Sequence, residues 1–145
     1  MAAPNIDPIY SKQGDVSNDG TTGMNQMVLA AANDYTGIDA DVSLVFTADA
    51  TNGGYIQRLR FKAGGTNTAS VARIYINNGA TPGTATNNVF YGEVSLPATT
   101  ATATAATVEI DYPMGFAINP GFRVYFGLAT AVAAGWVCTA IAGKY

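Results

Sequence analysis

The sequence predicts an all-β protein, a single-domain β-sandwich that is jelly-roll-like, with about eight strands and an extended N-terminal arm. Three observations support this fold class. A chain of 145 residues, 48% of them hydrophobic, is long enough to bury a core. Its β-rich segments are short, alternate apolar with polar residues, and are separated by turn-forming glycine, asparagine and proline. No long stretch repeats apolar residues with helical spacing.

Seven segments have the length and composition of strands. They span residues 42–47, 55–62, 71–76, 89–96, 108–112, 122–128 and 136–141. Residues 27–32 form an eighth apolar segment, either a strand or one helical turn. Residues 98–107 contain only alanine and threonine and are interpreted as a loop or a weak edge strand. In the second segment, alternation predicts one face made of Tyr55, Gln57, Leu59 and Phe61.

One uncharged stretch, residues 124–143, is long enough to cross a bilayer. Glycine, threonine and alanine dilute its apolar character, and its first part alternates with a period of two. Two strands joined by a turn therefore explain it better than one helix does, and we expect no membrane partner.

The surface is predicted to be weakly charged. Charged residues make up 12% of the chain, about half of the roughly 25% that is usual in soluble domains. Such a surface suits a protein that packs against copies of itself or against a larger assembly, although a stable extracellular β-domain that avoids charge also fits. The net charge of −3 argues against nucleic-acid binding.

Residues 1–25 are interpreted as an extended arm that precedes a sandwich domain of residues 26–145. The arm is rich in asparagine, aspartate, glycine and proline and lacks apolar alternation. Seven of the ten acidic residues lie in the first 49 positions, whereas six of the seven basic residues follow them. We expect the arm to dock on a neighbouring surface, which its excess of aspartate predicts to be basic.

Six charged residues are candidates for partner binding. They are Asp7, Asp15 and Asp19 on the arm and Arg58, Arg60 and Lys62 on a predicted strand. An acidic arm and a basic strand would attract each other between subunits. The three cations form a stripe beside aromatic residues that would also suit phosphates or unpaired bases. The alternative is that they only keep a strand edge soluble.

The sequence carries no constellation that is typical of catalysis. It contains no histidine, which removes the commonest general base and metal ligand. Cys138 is the single cysteine and lies near Trp136 in an apolar segment, so core packing explains both. Glu109 and Asp111 share one face of a predicted strand and are interpreted as solvent-facing.

Residues 15–20 resemble the first half of a calcium loop, with Asp15, Asp19 and Gly20 at suitable positions. Gln26 stands where such a loop needs a bidentate glutamate, and no helices flank the segment. A polar loop is the better interpretation, so we expect no metal site, no cofactor and no enzymatic activity.

Six short segments resemble a pattern of small virion proteins. They are Leu-Arg-Phe at 59–61, Gly-Thr-Asn-Thr-Ala at 65–69, Arg-Ile-Tyr-Ile-Asn-Asn-Gly at 73–79, Leu-Pro-Ala-Thr-Thr at 96–100, Asn-Pro-Gly-Phe-Arg-Val at 119–124 and Gly-Trp at 135–136. Over residues 42–145 the chain resembles the capsid decoration (cement or auxiliary head) proteins of tailed bacteriophages. The resemblance implies a β-sandwich or jelly-roll module, often a homotrimer, that reinforces a capsid. It carries over no functional residue, because the family shares no catalytic motif.

Two functional hypotheses remain open. The first is a structural virion protein on the capsid exterior, with the major capsid protein as its partner and a homo-oligomer, a trimer, as its expected state. The second is a phage fibre or a receptor- or carbohydrate-binding module. A glycan binder would expose aromatic residues on a sheet face or in a loop. A decoration protein would instead show a broad uncharged base and an extended arm.

Overall fold

The computed structural model describes residues 13–17, 34–38 and 42–145, whose strands form two antiparallel sheets. The strands are β1 (Gln13–Ser17), β2 (Ser43–Thr47), β3 (Gly54–Ala63), β4 (Ser70–Asn77), β5 (Asn88–Leu96), β6 (Glu109–Ile118), β7 (Arg123–Leu128) and β8 (Trp136–Lys144). Within the described residues, the one helical segment is a short 3₁₀ turn, Ala85–Asn87. None of the helical structure described is long and apolar enough to span a membrane.

The strand pairing is that of a jelly roll. The first sheet has the order β1-β8-β3-β6, and the second has the order β2-β7-β4-β5. Each strand pairs antiparallel with its counterpart counted from the other end of the series, β1 with β8, β2 with β7, β3 with β6 and β4 with β5. This is the pattern of a long β-ribbon wrapped into two sheets. The predicted fold class is therefore confirmed.

Inward-facing apolar side chains of both sheets form the core. Leu59, Phe61, Phe126 and Trp136 are all buried, and the rings of Phe61 and Phe126 meet edge to face with centroids 5.7 Å apart. Each such side chain stabilises the fold by about 1.5–3 kcal/mol through burial. Cys138 is buried among them, and burial raises the pKa of its thiol well above the ordinary value. The predicted packing roles of Trp136 and Cys138 are confirmed.

The sandwich is less tightly closed along β5 and β6, which are the edge strands on one side. Inward-facing Leu59 and Phe61 on β3 are fully buried. The corresponding residues of β6, Tyr112, Met114 and Phe116, are only half-buried. Apolar side chains therefore line the opening between these two edge strands.

Several sequence predictions hold in detail. The uncharged stretch 124–143 contributes to two strands, β7 and β8, as predicted. Residues 98–107 form a loop, apart from one bridge between Thr99 and Asn67. Residues 27–32, for which a strand or a helical turn was the expectation, lie outside the described residues.

Strand β1 corrects part of the predicted N-terminal arm. No strand is predicted within residues 1–25, yet residues 13–17 pair with β8 along their whole length, from Gln13 opposite Lys144 to Ser17 opposite Ala140. An edge strand needs only a neighbour for its backbone groups, so its sequence does not have to show apolar alternation. The other residues of the predicted arm lie outside the described residues, and there the arm stays a prediction.

A β-bulge corrects the predicted faces of β3. The register with both neighbouring strands shifts after Ile56, so the alternation of faces changes there. Tyr55 and Gln57 are exposed, whereas Leu59 and Phe61 face the core. Strict alternation wrongly placed all four on one face, because a bulge depends on pairing that the sequence does not display.

Candidate docking surfaces

The three predicted partner-binding cations lie together on the first sheet, beside two acids of β6. The ladder register places Arg60 opposite Asp111 and Lys62 opposite Glu109. Arg60 Nε lies 3.0 Å from Asp111 Oδ1 and 3.4 Å from Glu109 Oε1, and Arg58 Nε lies 3.5 Å from Asp111 Oδ2. We call these five side chains, Arg58, Arg60, Lys62, Glu109 and Asp111, the ionic ladder.

The ionic ladder neutralises most of the predicted basic stripe. The hydrogen bond from Arg60 lowers the pKa of Asp111, and the same contact raises the pKa of Arg60. Lys62 donates to the Thr107 carbonyl at 2.8 Å. The structure thus brings the three cations together as predicted, with Glu109 and Asp111 exposed as predicted. Their pairing was missed, because the sequence does not show which strands become neighbours.

Of the predicted acidic partner residues, only Asp15 is described. It pairs with Ala142, and β8 separates its strand from the cations of β3. Asp7 and Asp19 lie outside the described residues, as do Gly20 and Gln26. Residues 15–17 are an extended strand, which corrects their interpretation as part of a polar loop. Within the described part of the chain, no group of three carboxylate or thiol side chains is arranged to hold a metal ion.

Three loops meet at one end of the sandwich. They are residues 64–69, 97–108 and 129–135, and we call them the loop platform. Asn67 joins them, because its backbone exchanges two hydrogen bonds with Thr99, with N–O distances of 3.1 and 2.9 Å. Its side chain donates to the Gly135 carbonyl at 3.0 Å and accepts from the Ala134 N–H at 2.7 Å. Asn67 is buried, so these bonds are shielded from water and tie the loops together.

Further hydrogen bonds support the loop platform from below. Thr99 Oγ1 donates to the Gly65 carbonyl at 2.5 Å, and Ser70 Oγ donates to the Thr130 carbonyl at 3.0 Å. The surface above is uncharged, since none of the three loops contains an acidic or basic residue. Residues 100–106 are all exposed and are all alanine or threonine. The loop platform is therefore a tied, uncharged surface of small side chains.

Large apolar side chains cluster along β5 at the edge of the second sheet. They are Tyr35, Ile38, Val89, Phe90 and Tyr91, with exposed fractions between 38% and 62%. We call these five side chains the aromatic edge. The described residues include one other large apolar side chain of comparable exposure, Tyr55 on the first sheet.

Residues 34–38, which we call the strap, lie against the outer face of the second sheet. Tyr75 Oη donates to the Asp34 carbonyl at 2.8 Å, and Asn88 Nδ2 donates to the Gly37 carbonyl at 3.3 Å. Gly37 has a φ of +70°, and a Cβ at this position would lie 2.8 Å from the Tyr75 ring. Only glycine combines this backbone conformation with so close an approach.

Arg73 supports the strap from beneath. Its guanidinium carbon lies 4.0 Å from the centroid of the Tyr35 ring, and its Nη1 donates to the Asp34 carbonyl at 3.4 Å. Its Nε lies 3.8 Å from the Glu93 carboxylate. Tyr35 in turn meets Phe90 edge to face, with centroids 5.2 Å apart. The Arg73 side chain is only 11% exposed, so this cation lies beneath the surface and supports the side chains above it.

Aromatic rings also close the opening between β5 and β6. Tyr91 packs against Tyr112 and Phe116, with ring centroids 6.4 and 5.4 Å apart. Burial, with a smaller contribution from Tyr91, raises the pKa of Tyr112. A cleft of ≈ 200 Å³ lies nearby and is lined in part by Ile76 and Phe122. Its volume is below the roughly 300–1,000 Å³ of typical ligand pockets, so this opening does not suit a drug-sized ligand.

The aromatic edge is the surface that the sequence analysis missed. One signal was available, since Val89, Phe90 and Tyr91 are three consecutive large apolar residues. A strand directs successive side chains to opposite faces, so these three residues cannot all face one core. The part played by the strap has no comparable signal, because it depends on a contact with Tyr75 that is distant in sequence.

Comparison of the chain with protein-family models, with curated proteins and with solved structures produced no match. Three surfaces of the described residues are therefore the candidates for function. These are the ionic ladder, the loop platform and the aromatic edge.

Proposed function

We propose that this chain is a structural protein that docks on a large assembly through the loop platform, as a decoration protein does on the exterior of a tailed-phage capsid. The observation that carries the proposal is the loop platform, which is uncharged over three loops and tied by the buried side chain of Asn67. A broad uncharged base is what the decoration hypothesis requires. The resemblance of residues 42–145 to decoration proteins supports the major capsid protein as the partner.

The chemistry of the loop platform favours docking on another protein. Alanine loses no side-chain entropy when it is buried, and threonine loses little. Loops that are already tied by internal hydrogen bonds need less ordering at the moment of association. No charged side chain on this surface has to be desolvated when a partner binds. A partner that is uncharged over a similar area therefore binds at a low energetic cost.

The direct test is to purify tailed-phage particles from a lysate of a phage that encodes this chain. Quantitative mass spectrometry would measure its copy number relative to the major capsid protein, and electron microscopy would locate it. The proposal expects a fixed ratio and density on the capsid exterior. Absence of the chain from purified particles would overturn the proposal.

A charge placed on the loop platform should block docking. Thr104 is exposed within it, and Thr104→Lys would bury an unpaired ammonium in the proposed interface. We expect at least about tenfold weaker binding to particles that lack the chain, which corresponds to about 1.4 kcal/mol. The melting temperature should change little. Co-sedimentation with such particles measures the binding.

Thr86→Lys is the matched control, since Thr86 is equally exposed but lies in the loop that joins β4 to β5 at the opposite end of the sandwich. It should bind as the wild type does. Equal binding by both variants would show that the loop platform is not the docking surface.

A carbohydrate-binding module is the second candidate, because the chain exposes tyrosine rings at the aromatic edge, although the polar groups beside them are engaged in internal hydrogen bonds. Tyrosine rings stack on sugars, and Tyr35 and Tyr91 are both exposed. A glycan array probed with the labelled chain tests this function. Binding that is lost in Tyr35→Ala, together with absence from capsids, would favour this candidate over the decoration role.

A further inference from the structure

The aromatic edge presents more apolar surface than isolated exposed side chains do. A fully exposed aromatic side chain presents about 150–250 Å², and valine and isoleucine present less, so the five exposed fractions together correspond to roughly 400 Å² of apolar surface at this edge. A standard protein interface buries about 800 Å² per partner, a little over half of it apolar. Because successive side chains of β5 point to opposite faces, this surface wraps around the strand, with Phe90 against the strap and Tyr91 against β6. Its total is about the apolar area of one side of a stable protein interface.

We infer that the aromatic edge binds a second copy of this chain. Tyrosine is enriched among the residues that contribute most to binding, and phenylalanine is enriched at protein interfaces generally. This surface exposes Tyr35, Phe90 and Tyr91, and the sheltered Arg73 holds the Tyr35 ring from beneath. The register between β4 and β5 shifts at Tyr75, which interrupts the regular ladder. The contact between copies therefore rests on side chains rather than on a continuous sheet.

The charge beside the aromatic edge is locally balanced, so it does not oppose a copy of the same chain as the partner. Each chain has a net charge of −3, so two copies repel each other overall. The aromatic edge is flanked by one cation and one anion, Arg73 and Glu93, whose side chains lie 3.8 Å apart. Two such edges can meet without opposing like charges. In a closed symmetric oligomer, such as the expected trimer, every copy presents the same patch to its neighbours.

The second edge strand on this side shows the contrast. β6 carries Pro113, which has no N–H to offer, and Gly115 with a φ of +69°. It also carries two acids, Glu109 and Asp111. Proline, irregular backbone and charge are the devices that prevent association at strand edges. The register of β5 is also interrupted, but β5 has no proline and exposes three apolar side chains in succession. Its side chains, rather than its backbone edge, are therefore suited to association.

A sugar is a poorer fit to the aromatic edge, because the polar groups beside its rings are already engaged. The Asp34 carboxylate accepts hydrogen bonds from Thr36 and from the Gly37 N–H. The Asn88 amide donates to backbone carbonyls, and the Arg73 guanidinium stacks on Tyr35. A sugar site needs polar groups that remain able to orient hydroxyls. Rings without such groups are better suited to the apolar surface of a protein.

The test is the oligomeric state of the full chain and of Val89→Lys. Val89 is the most exposed member of the aromatic edge, so lysine fits without disturbing the core. Analytical ultracentrifugation should show the wild type as an oligomer at about 50 μM, and the dissociation constant of the variant should be at least tenfold higher. Tyr55→Lys on the first sheet is the matched control and should associate as the wild type does. A wild type that stays monomeric, or an unchanged constant for Val89→Lys, would overturn the inference.

A second measurement does not depend on a charge substitution. Cys138 is the single native cysteine and is buried, so a thiol at Val89→Cys or Tyr55→Cys would be the accessible one. At about 50 μM protein, a thiol reagent should modify Val89→Cys several-fold more slowly than Tyr55→Cys, and dilution should remove the difference. Equal rates at the higher concentration would contradict association at the aromatic edge. A monomeric wild type that binds glycans through Val89 would reassign this surface to a sugar.

The inference goes beyond the proposed docking function and can fail independently of it. Val89→Lys should lose self-association while the loop platform stays intact. Thr104→Lys should lose particle binding while the aromatic edge stays intact. A variant that loses only one property therefore identifies which of the two surfaces has been assigned correctly.

Discussion

The outer face of each sheet carries an arginine with several contacts, and the two arginines have different roles. On the first sheet, Arg60 is partly exposed and pairs with Asp111 and Glu109, so its charge is balanced within the chain. On the second sheet, Arg73 is sheltered and supports the exposed ring of Tyr35.

This contrast differs from the sequence prediction, which named the cations of the first sheet as candidates for partner binding. Three closely spaced cations on one strand resemble an interaction site, yet the ionic ladder is largely self-contained. The second sheet shows no charge run, yet it exposes the apolar surface for which we propose a second copy as the partner. Charge that is balanced locally weakens the case for a binding site, and apolar surface that is held outward by specific contacts strengthens it.

Displacing the strap from the second sheet should have the largest effect, because it should lower both stability and self-association. Gly37→Ala places a Cβ 2.8 Å from the Tyr75 ring, on a residue with a φ of +70°. We expect a loss of about 1–3 kcal/mol in the free energy of unfolding, because a non-glycine residue in this backbone region is strained. Self-association should also weaken, since Tyr35 and Ile38 belong to the strap. Urea unfolding and sedimentation measure the two effects.

Gly83→Ala provides the control for that experiment. A Cβ added at Gly83 meets nothing within 4 Å, and its φ is not in the left-handed region. Its free energy of unfolding should stay close to that of the wild type. If both alanine variants behave alike, the strap does not stabilise the second sheet.

The two arginines should differ in what their loss does to stability. Arg73→Gln removes a sheltered cation that contacts Tyr35, the Asp34 carbonyl and Glu93. We expect it to lower the free energy of unfolding by about 1–3 kcal/mol, because hydrogen bonds and ring contacts of a sheltered charge are lost together.

Arg60→Gln should cost clearly less, since its partners are exposed and water replaces them. Both free energies of unfolding can be measured under the same conditions of urea denaturation. A larger loss for Arg60→Gln than for Arg73→Gln would contradict the distinction between the two faces.

The sequence predicts much of the fold, because the jelly roll depends on patterns that are local. Seven of the strands coincide with apolar alternation between turn residues, and the uncharged stretch 124–143 shows its period of two directly. Strand β1 was missed because an edge strand is defined by the backbone of its neighbour. The bulge in β3 was missed for the same reason, since it exists only in the register with β6 and β8.

The sequence predicts less of the functional surfaces, because each depends on which segments become neighbours. The cations of the ionic ladder were identified, but their acids lie on a strand that only the topology brings beside them. The loop platform depends on Asn67, an ordinary turn residue in the sequence that joins three loops in the fold. The aromatic edge combines β5 with a strap from a distant part of the chain.

The smallest expected effect separates the two faces by the way each holds a carboxylate. The pKa of Asp34 and that of Asp111 both lie below the ordinary value of 3.8. The main cause for Asp34 is the hydrogen bond from the neutral Thr36 hydroxyl, whereas the main cause for Asp111 is the hydrogen bond from the charged Arg60. Each lowered pKa contributes stability that is present above pH 3.8 and is lost as the pH falls through the folded-state value.

Salt should therefore act on one of these carboxylates and spare the other. At about 1 M salt the screening length falls to about 3 Å, so the exposed pair with Arg60 weakens and the pKa of Asp111 moves up toward its ordinary value. The pKa of Asp34 should stay low, because hydrogen bonds from a hydroxyl and from backbone amides do not depend on a screened charge. Titration of the two carboxyl carbons by NMR at low and high salt measures both values. An equal response of the two carboxylates would mean that Asp34, too, is held by the charge of Arg73, and that the two faces use their arginines in the same way.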